Sequence, residues 1–96
     1  MHADLCTYIA DLAVFTRKHD AVALGVSPRA TLALAKAAQG YAALQGRDFV
    51  KPEDIKHLAP HVWSHRLVIR GRNIAKRQII DEALAAVAVP TEDMFQ

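Results

Sequence analysis

Cysteine occurs once in the 96 residues, at Cys6, so no disulfide within the chain can hold the fold, and a reducing cytoplasm is the expected setting. No apolar run reaches the roughly eighteen residues that a membrane-spanning helix needs, and the start lacks the pattern of a signal peptide. Glycine and proline number four each, too few for a linker or a low-complexity tail, so the chain should fold nearly throughout. The formal charge is only +2 with both signs interspersed, too mild to announce nucleic acid by itself. Also missing are a glycine-rich phosphate loop ending in Lys and Ser or Thr, an acidic pair closing a hydrophobic strand, and a nucleophile with a base beside it. A complete enzyme is therefore excluded: the chain can finish a phosphate site but cannot build one.

What is present is helical. With 52% hydrophobic residues and no internal repeat, the sequence reads as one all-α domain over residues 1–96, a small four-helix bundle with helices at about 4–18, 28–45, 52–66 and 74–88. In the first, Leu5, Ile9, Leu12 and Thr16 form one stripe flanked by Tyr8, Ala13 and Phe15, with Asp4 as the cap and Cys6 a small packed or half-buried side chain. The second starts at a Ser27 cap with Pro28 pre-set for the first position, buries Ala30, Leu34, Ala37, Ala38 and Tyr41, and stops at Gly46. Gly25 is placed to take a left-handed conformation before that cap, and Gly40 to allow a close helix crossing. Val22–Leu24 is expected to pair with Phe49 and Val50. The third helix opens on Pro52 with acids in its first turn, buries Ile55, Leu58, Ala59 and Val62, and should kink near Pro60, whose face is expected to be wet. Leu67–Arg70 is either extended or the end of that helix. Asn73 caps the fourth, with Ile79, Ile80, Ala83, Leu84 and Val87 inward.

One residue breaks a rule. Arg29 adds a fixed positive charge to a first helical turn that is already the positive end of the helix dipole, and such a spot suits an anion, phosphate above all. Lys36, seven residues on, lies on nearly the same face.

Leu24–Ala30 (Leu-Gly-Val-Ser-Pro-Arg-Ala), Gly46–Val50 (Gly-Arg-Asp-Phe-Val), Pro52–Ile55 (Pro-Glu-Asp-Ile) and the pair His65-Arg66, in that order, resemble the C-terminal lid domain of the MoxR family of AAA+ ATPases. The resemblance runs from about Tyr8 to Leu67. It implies that Arg29 is the sensor 2 arginine facing the phosphates of ATP, acting in trans to a nucleotide-binding core absent from this chain. Ser27 and Pro28 would share that cofactor face, and Leu24–Val26 would line its adenine side. The resemblance further implies ATP and Mg in the full-length protein, with none expected on this piece alone. Implied partners are an upstream AAA+ core, neighbouring subunits of a hexameric ring, and a protein with a von Willebrand factor A domain. Met1 would then be an artificial start or that of a truncated gene.

Other residues have plainer readings. His57, His61 and His65 are four apart, as metal ligands on one helix can be, but Pro60 interrupts them and no cysteine completes a set, so no metal site is assigned. His65 and Arg66 read as packing residues or as a contact to the core, Arg47-Asp48 as a loop ion pair, and Trp63 as either core edge or interface anchor. The alternative function is a histone-like or helix-turn-helix domain gripping DNA through Arg66, Arg70, Arg72, Lys76 and Arg77.

Overall fold

The computed structural model describes residues 1–70 and 75–90. Four helices carry the fold: α1 (Ala3–Lys18), α2 (Pro28–Leu44), α3 (Pro52–Trp63) and α4 (Lys76–Ala86). A two-stranded ribbon, β1 (Val22–Leu24) with β2 (Val68–Ile69), is added to the bundle, and a 3-10 turn over Ser64–Arg66 joins α3 to β2. Among the described residues no helix is long and apolar enough to cross a membrane.

The stripe of α1 is buried as its periodicity requires, with Leu5, Tyr8, Ile9, Leu12, Ala13 and Thr16 inside. Its cap is His2, whose Nδ1 accepts the Asp4 N–H at 3.0 Å, so Asp4 occupies the first turn and is not the cap. Cys6 is exposed, not packed. Alanine keeps α2 slim enough to be approached closely, and Ala30, Leu34, Ala38 and Ala42 form its buried row while Ala37 and Tyr41 are half-buried. At its end Gly46 takes φ +79°, its N–H bonding to the Ala43 carbonyl while the Arg47 N–H bonds to that of Ala42, which satisfies two carbonyls the helix leaves open.

Helices α2 and α3 run antiparallel and are tied at both ends. At one end the Trp63 indole, 1% exposed, donates from Nε1 to the Ala30 carbonyl at 2.9 Å; Trp63 is thus core, not an interface anchor. At the other, Arg47 grips Asp54 with two bonds of 2.8 and 2.7 Å. The buried side of α3 is accordingly turned toward Pro60 and Trp63, and Leu58 and Val62 are only partly covered. Pro60 is buried inside the helix and not on a wet face; the helix continues past it to Trp63, then tightens to 3-10 geometry through Arg66.

Three further expectations change. β1 pairs with β2 and not with Phe49 and Val50: Val22 faces Ile69, Leu24 faces Val68, and the Arg70 N–H reaches the Ala21 carbonyl at 2.7 Å. Gly40 is exposed, and among the described residues an added Cβ would meet nothing within 4 Å, so none of the four helices crosses there. Gly25 is not left-handed; it is close-packed, since a Cβ would stand 2.7 Å from the Arg17 Cα. Helix α4 starts at Lys76, later than expected, with Ile79, Ile80 and Ala83 buried; Asn73, its expected cap, lies outside the described residues.

Candidate functional site

The first turn of α2 is built as its residues dictate. Ser27 stays extended and its Oγ accepts the Ala30 N–H at 3.1 Å, while its carbonyl takes the Thr31 N–H and the Thr31 hydroxyl, each at 2.9 Å. Pro28, the first helical residue, has no N–H to offer. Arg29 therefore holds the open donors of the turn: it is exposed, and among the described residues its guanidinium has neither a hydrogen bond nor an ion pair. No acidic side chain stands in that turn. Backbone N–H, helix dipole and guanidinium all favour an anion at this one spot.

The turn is held from behind. Val26, fully buried, donates its N–H to Thr16 Oγ1 at 3.0 Å and accepts Arg17 Nε on its carbonyl at 2.8 Å. Neither α1 residue was a candidate on sequence grounds, although a threonine inside an apolar stripe is itself a signal, because a buried hydroxyl needs a partner. Of the residues expected along the adenine side, Val26 belongs to the core, and only Leu24, 63% exposed opposite the half-exposed Val68, offers an apolar surface. Lys36 is exposed on α2.

The other sequence candidates lie apart from this turn. Arg47 pairs with Asp54 and not with Asp48; the buried Asp54 carboxylate also accepts the Lys51 N–H at 2.8 Å, and Arg47 reaches the Phe49 carbonyl at 3.0 Å. The Arg47 hydrogen bonds hold the Asp54 carboxyl below the usual carboxylate range against the opposing effect of burial, and the Lys51 N–H adds to them; the same bonds to Asp54 raise Arg47 above its ordinary value. Phe49 is half-exposed, with the Arg47 guanidinium 5.6 Å and the Lys51 ammonium 5.9 Å from its ring centre. A groove of about 200 Å³ lined by Met1, Gln39, Ala43 and Phe49 opens there, at the end of α2 remote from Arg29.

His57 and His61 are exposed, 5.8 Å apart between ring centres, with the Tyr41 ring tilted by 38° and centred 5.3 Å from that of His57. His65 and Arg66 are exposed on the 3-10 turn, not packed. Among the described residues no three histidine, cysteine or acidic side chains gather as a metal site. Of the basic stretch, Arg66 and Arg70 are exposed, Arg77 is paired with Asp81 at 3.0 Å, and Arg72 lies outside the described residues.

Comparison with known proteins gives this geometry a context. The family model described as the AAA lid domain matches residues 14–90. The chain is 44% identical over 88% of its length to YeaC of Bacillus subtilis, whose function is uncharacterised, and 34% identical over 94% of its length to chaperone MoxR1 of Mycobacterium tuberculosis. It spans 28% and 27% of those two relatives. A crystal structure of a candidate ATPase from Cytophaga hutchinsonii superposes with a TM-score of 0.86 at 30% identity, over 93% of this chain and 31% of that one.

Proposed function

Because the chain belongs to the AAA lid domain family, as a lid of the MoxR-like ATPases, we propose that Arg29 is its sensor 2 arginine, completing an ATP site whose remaining parts lie in a nucleotide-binding core. The observation that carries this reading is the open pair of donors on Arg29, guanidinium and N–H, in a helical turn with no acid to neutralise them. A guanidinium binds phosphate oxygens through two parallel bonds, and its pull ends when the terminal phosphate leaves.

The residues present suit the phosphate end of ATP: Ser27 closes the turn, Pro28 sets its direction and Arg29 supplies charge. They do not suit the magnesium ion, since no acidic cluster stands among the described residues, and its ligands belong to the core. ATP supplies the phosphoryl group that is cleaved. This chain's part is to hold that group's charge and to exclude water from one side, and hydrolysis then alters what holds the lid to the core. In this reading the lid works in a cytoplasmic ring of like subunits, six in number, and its rotation remodels a partner protein, one with a von Willebrand factor A domain being the partner type that MoxR resemblance suggests.

The test is Arg29→Ala in the ATPase formed by this lid with its core. Turnover should fall by about tenfold or more, the scale of a lost charge contact in a phosphoryl-transfer site. The 96-residue chain should unfold at no lower temperature, because among the described residues the Arg29 side chain makes no hydrogen bond or ion pair and its charge opposes the helix dipole. Unchanged turnover would remove the sensor role.

A further inference from the structure

Arg29 stands between two backbone units that are gripped by different helices. Three residues before it, Val26 is bound through both its N–H and its carbonyl by the last turn of α1. One residue after it, the Ala30 carbonyl receives the Trp63 indole at the end of α3. Thr16, Val26, Ala30 and Trp63 are all 0–1% exposed, so water cannot stand in for a missing partner. The Thr16 hydroxyl is itself fixed, donating to the Ala13 carbonyl at 2.7 Å, which leaves its lone pairs for the Val26 N–H. Gly25 lets the loop come this close to Arg17.

Thr16 occupies a place in an apolar stripe where valine would fill the same space. Beside its local bond to Ala13, the hydroxyl adds the bond to Val26, and through it a fixed entry angle for α2. We propose that Thr16, Arg17 and Trp63 are positioning residues for Arg29: they act through the first turn of α2 and touch no nucleotide themselves. The guanidinium then moves with α1 and α3 as one body, and the direction in which it meets a phosphate is set by α1, which is remote from it in sequence. This inference rests on the reading of Arg29 as the phosphate-binding arginine.

The experiment compares Thr16→Val, Thr16→Ser, Arg29→Ala and the Thr16→Val/Arg29→Ala double variant in the ATPase formed by lid and core. Thr16→Val removes the acceptor without changing the volume, and should lower kcat about tenfold with KM for ATP within about twofold, as a misplaced catalytic contact does. Thr16→Ser restores the acceptor and should restore kcat. If Thr16 acts only through Arg29, the double variant should be no slower than Arg29→Ala alone; losses that multiply would overturn the proposal. Should Arg29→Ala itself leave turnover unchanged, the phosphate reading fails, and amide hydrogen exchange on the 96-residue chain decides the positioning separately. Thr16→Val should then speed exchange at Ala30 and Thr31 by about tenfold relative to Ala38, deep in α2; equal acceleration at all three would show that Thr16 serves general stability and not the turn.

Discussion

Two glycines of this chain should respond to the same substitution with opposite signs. Gly40 lies in the interior of α2, exposed, with empty space for 4 Å around the Cβ it lacks. Alanine there restricts the unfolded chain and shields the helix backbone, a gain of about 1 kcal/mol. In urea, where a domain of this size unfolds with a slope of about 1 kcal/mol per molar, Gly40→Ala should raise the midpoint by about 1 M. The melting temperature should rise by about 4–8 °C. Gly25→Ala carries the same backbone benefit but drives a methyl group to 2.7 Å from the Arg17 Cα and 2.8 Å from its N, backbone atoms that cannot swing aside. Its midpoint should fall. Circular dichroism at 222 nm during urea titration reads both, being sensitive to helix content in each variant. A lowered midpoint for Gly40→Ala would mean that another element packs against that face of α2. An unchanged midpoint for Gly25→Ala would mean that the loop before Ser27 is not pinned to α1, and the argument for Thr16 and Arg17 would lose its basis.

Two more outcomes follow from buried polar groups. Among the described residues the buried Tyr8 hydroxyl has no hydrogen-bond partner, and burial raises its pKa; Tyr8→Phe should therefore hold or raise stability, by up to about 1 kcal/mol, and a clear loss in urea unfolding would reveal a partner for the hydroxyl. Asp54 has a folded-state pKa below its unfolded value, so its stabilisation is complete above the ordinary carboxylate range near about pH 4 and is lost as pH falls through the folded value. Asp54→Asn should flatten the acid limb of a stability profile taken from about pH 7 to pH 2, and an unaltered limb would show that other carboxylates dominate it.

The parts legible in the sequence are those carried by local chemistry. Ser27 and Pro28 announce the start of α2, Gly46 its end, and the period of Leu5, Ile9 and Leu12 the inner face of α1, because each signal lies within one or two turns of what it specifies. Arg29 was visible for the same reason: its misfit with the helix dipole is a local fact. The parts that were not legible depend on groups far apart in sequence. A two-residue strand such as Val68–Ile69 has no period by which to announce itself, so the sequence reading paired Val22–Leu24 with Phe49 and Val50 instead. Arg47 chose Asp54 over the adjacent Asp48 because Asp54 also accepts the Lys51 N–H and is buried, and neither property shows in a dipeptide. Pro60 was placed by hydrophobic period alone, but the indole of Trp63 needs an acceptor as well as cover, and the Ala30 carbonyl supplies it from 33 residues away.

The ties at the two ends of the α2–α3 pair also have a mechanical consequence. A helical pair joined at one end only can be peeled open a turn at a time by a small force, because each turn is loaded alone. With Trp63 on Ala30 at one end and Arg47 on Asp54 at the other, the load is shared along the 17 residues of α2, a strut of about 24 Å. The two ties also fix the register of the pair, so neither helix can slide along the other without breaking the Trp63–Ala30 hydrogen bond and the Arg47–Asp54 ion pair.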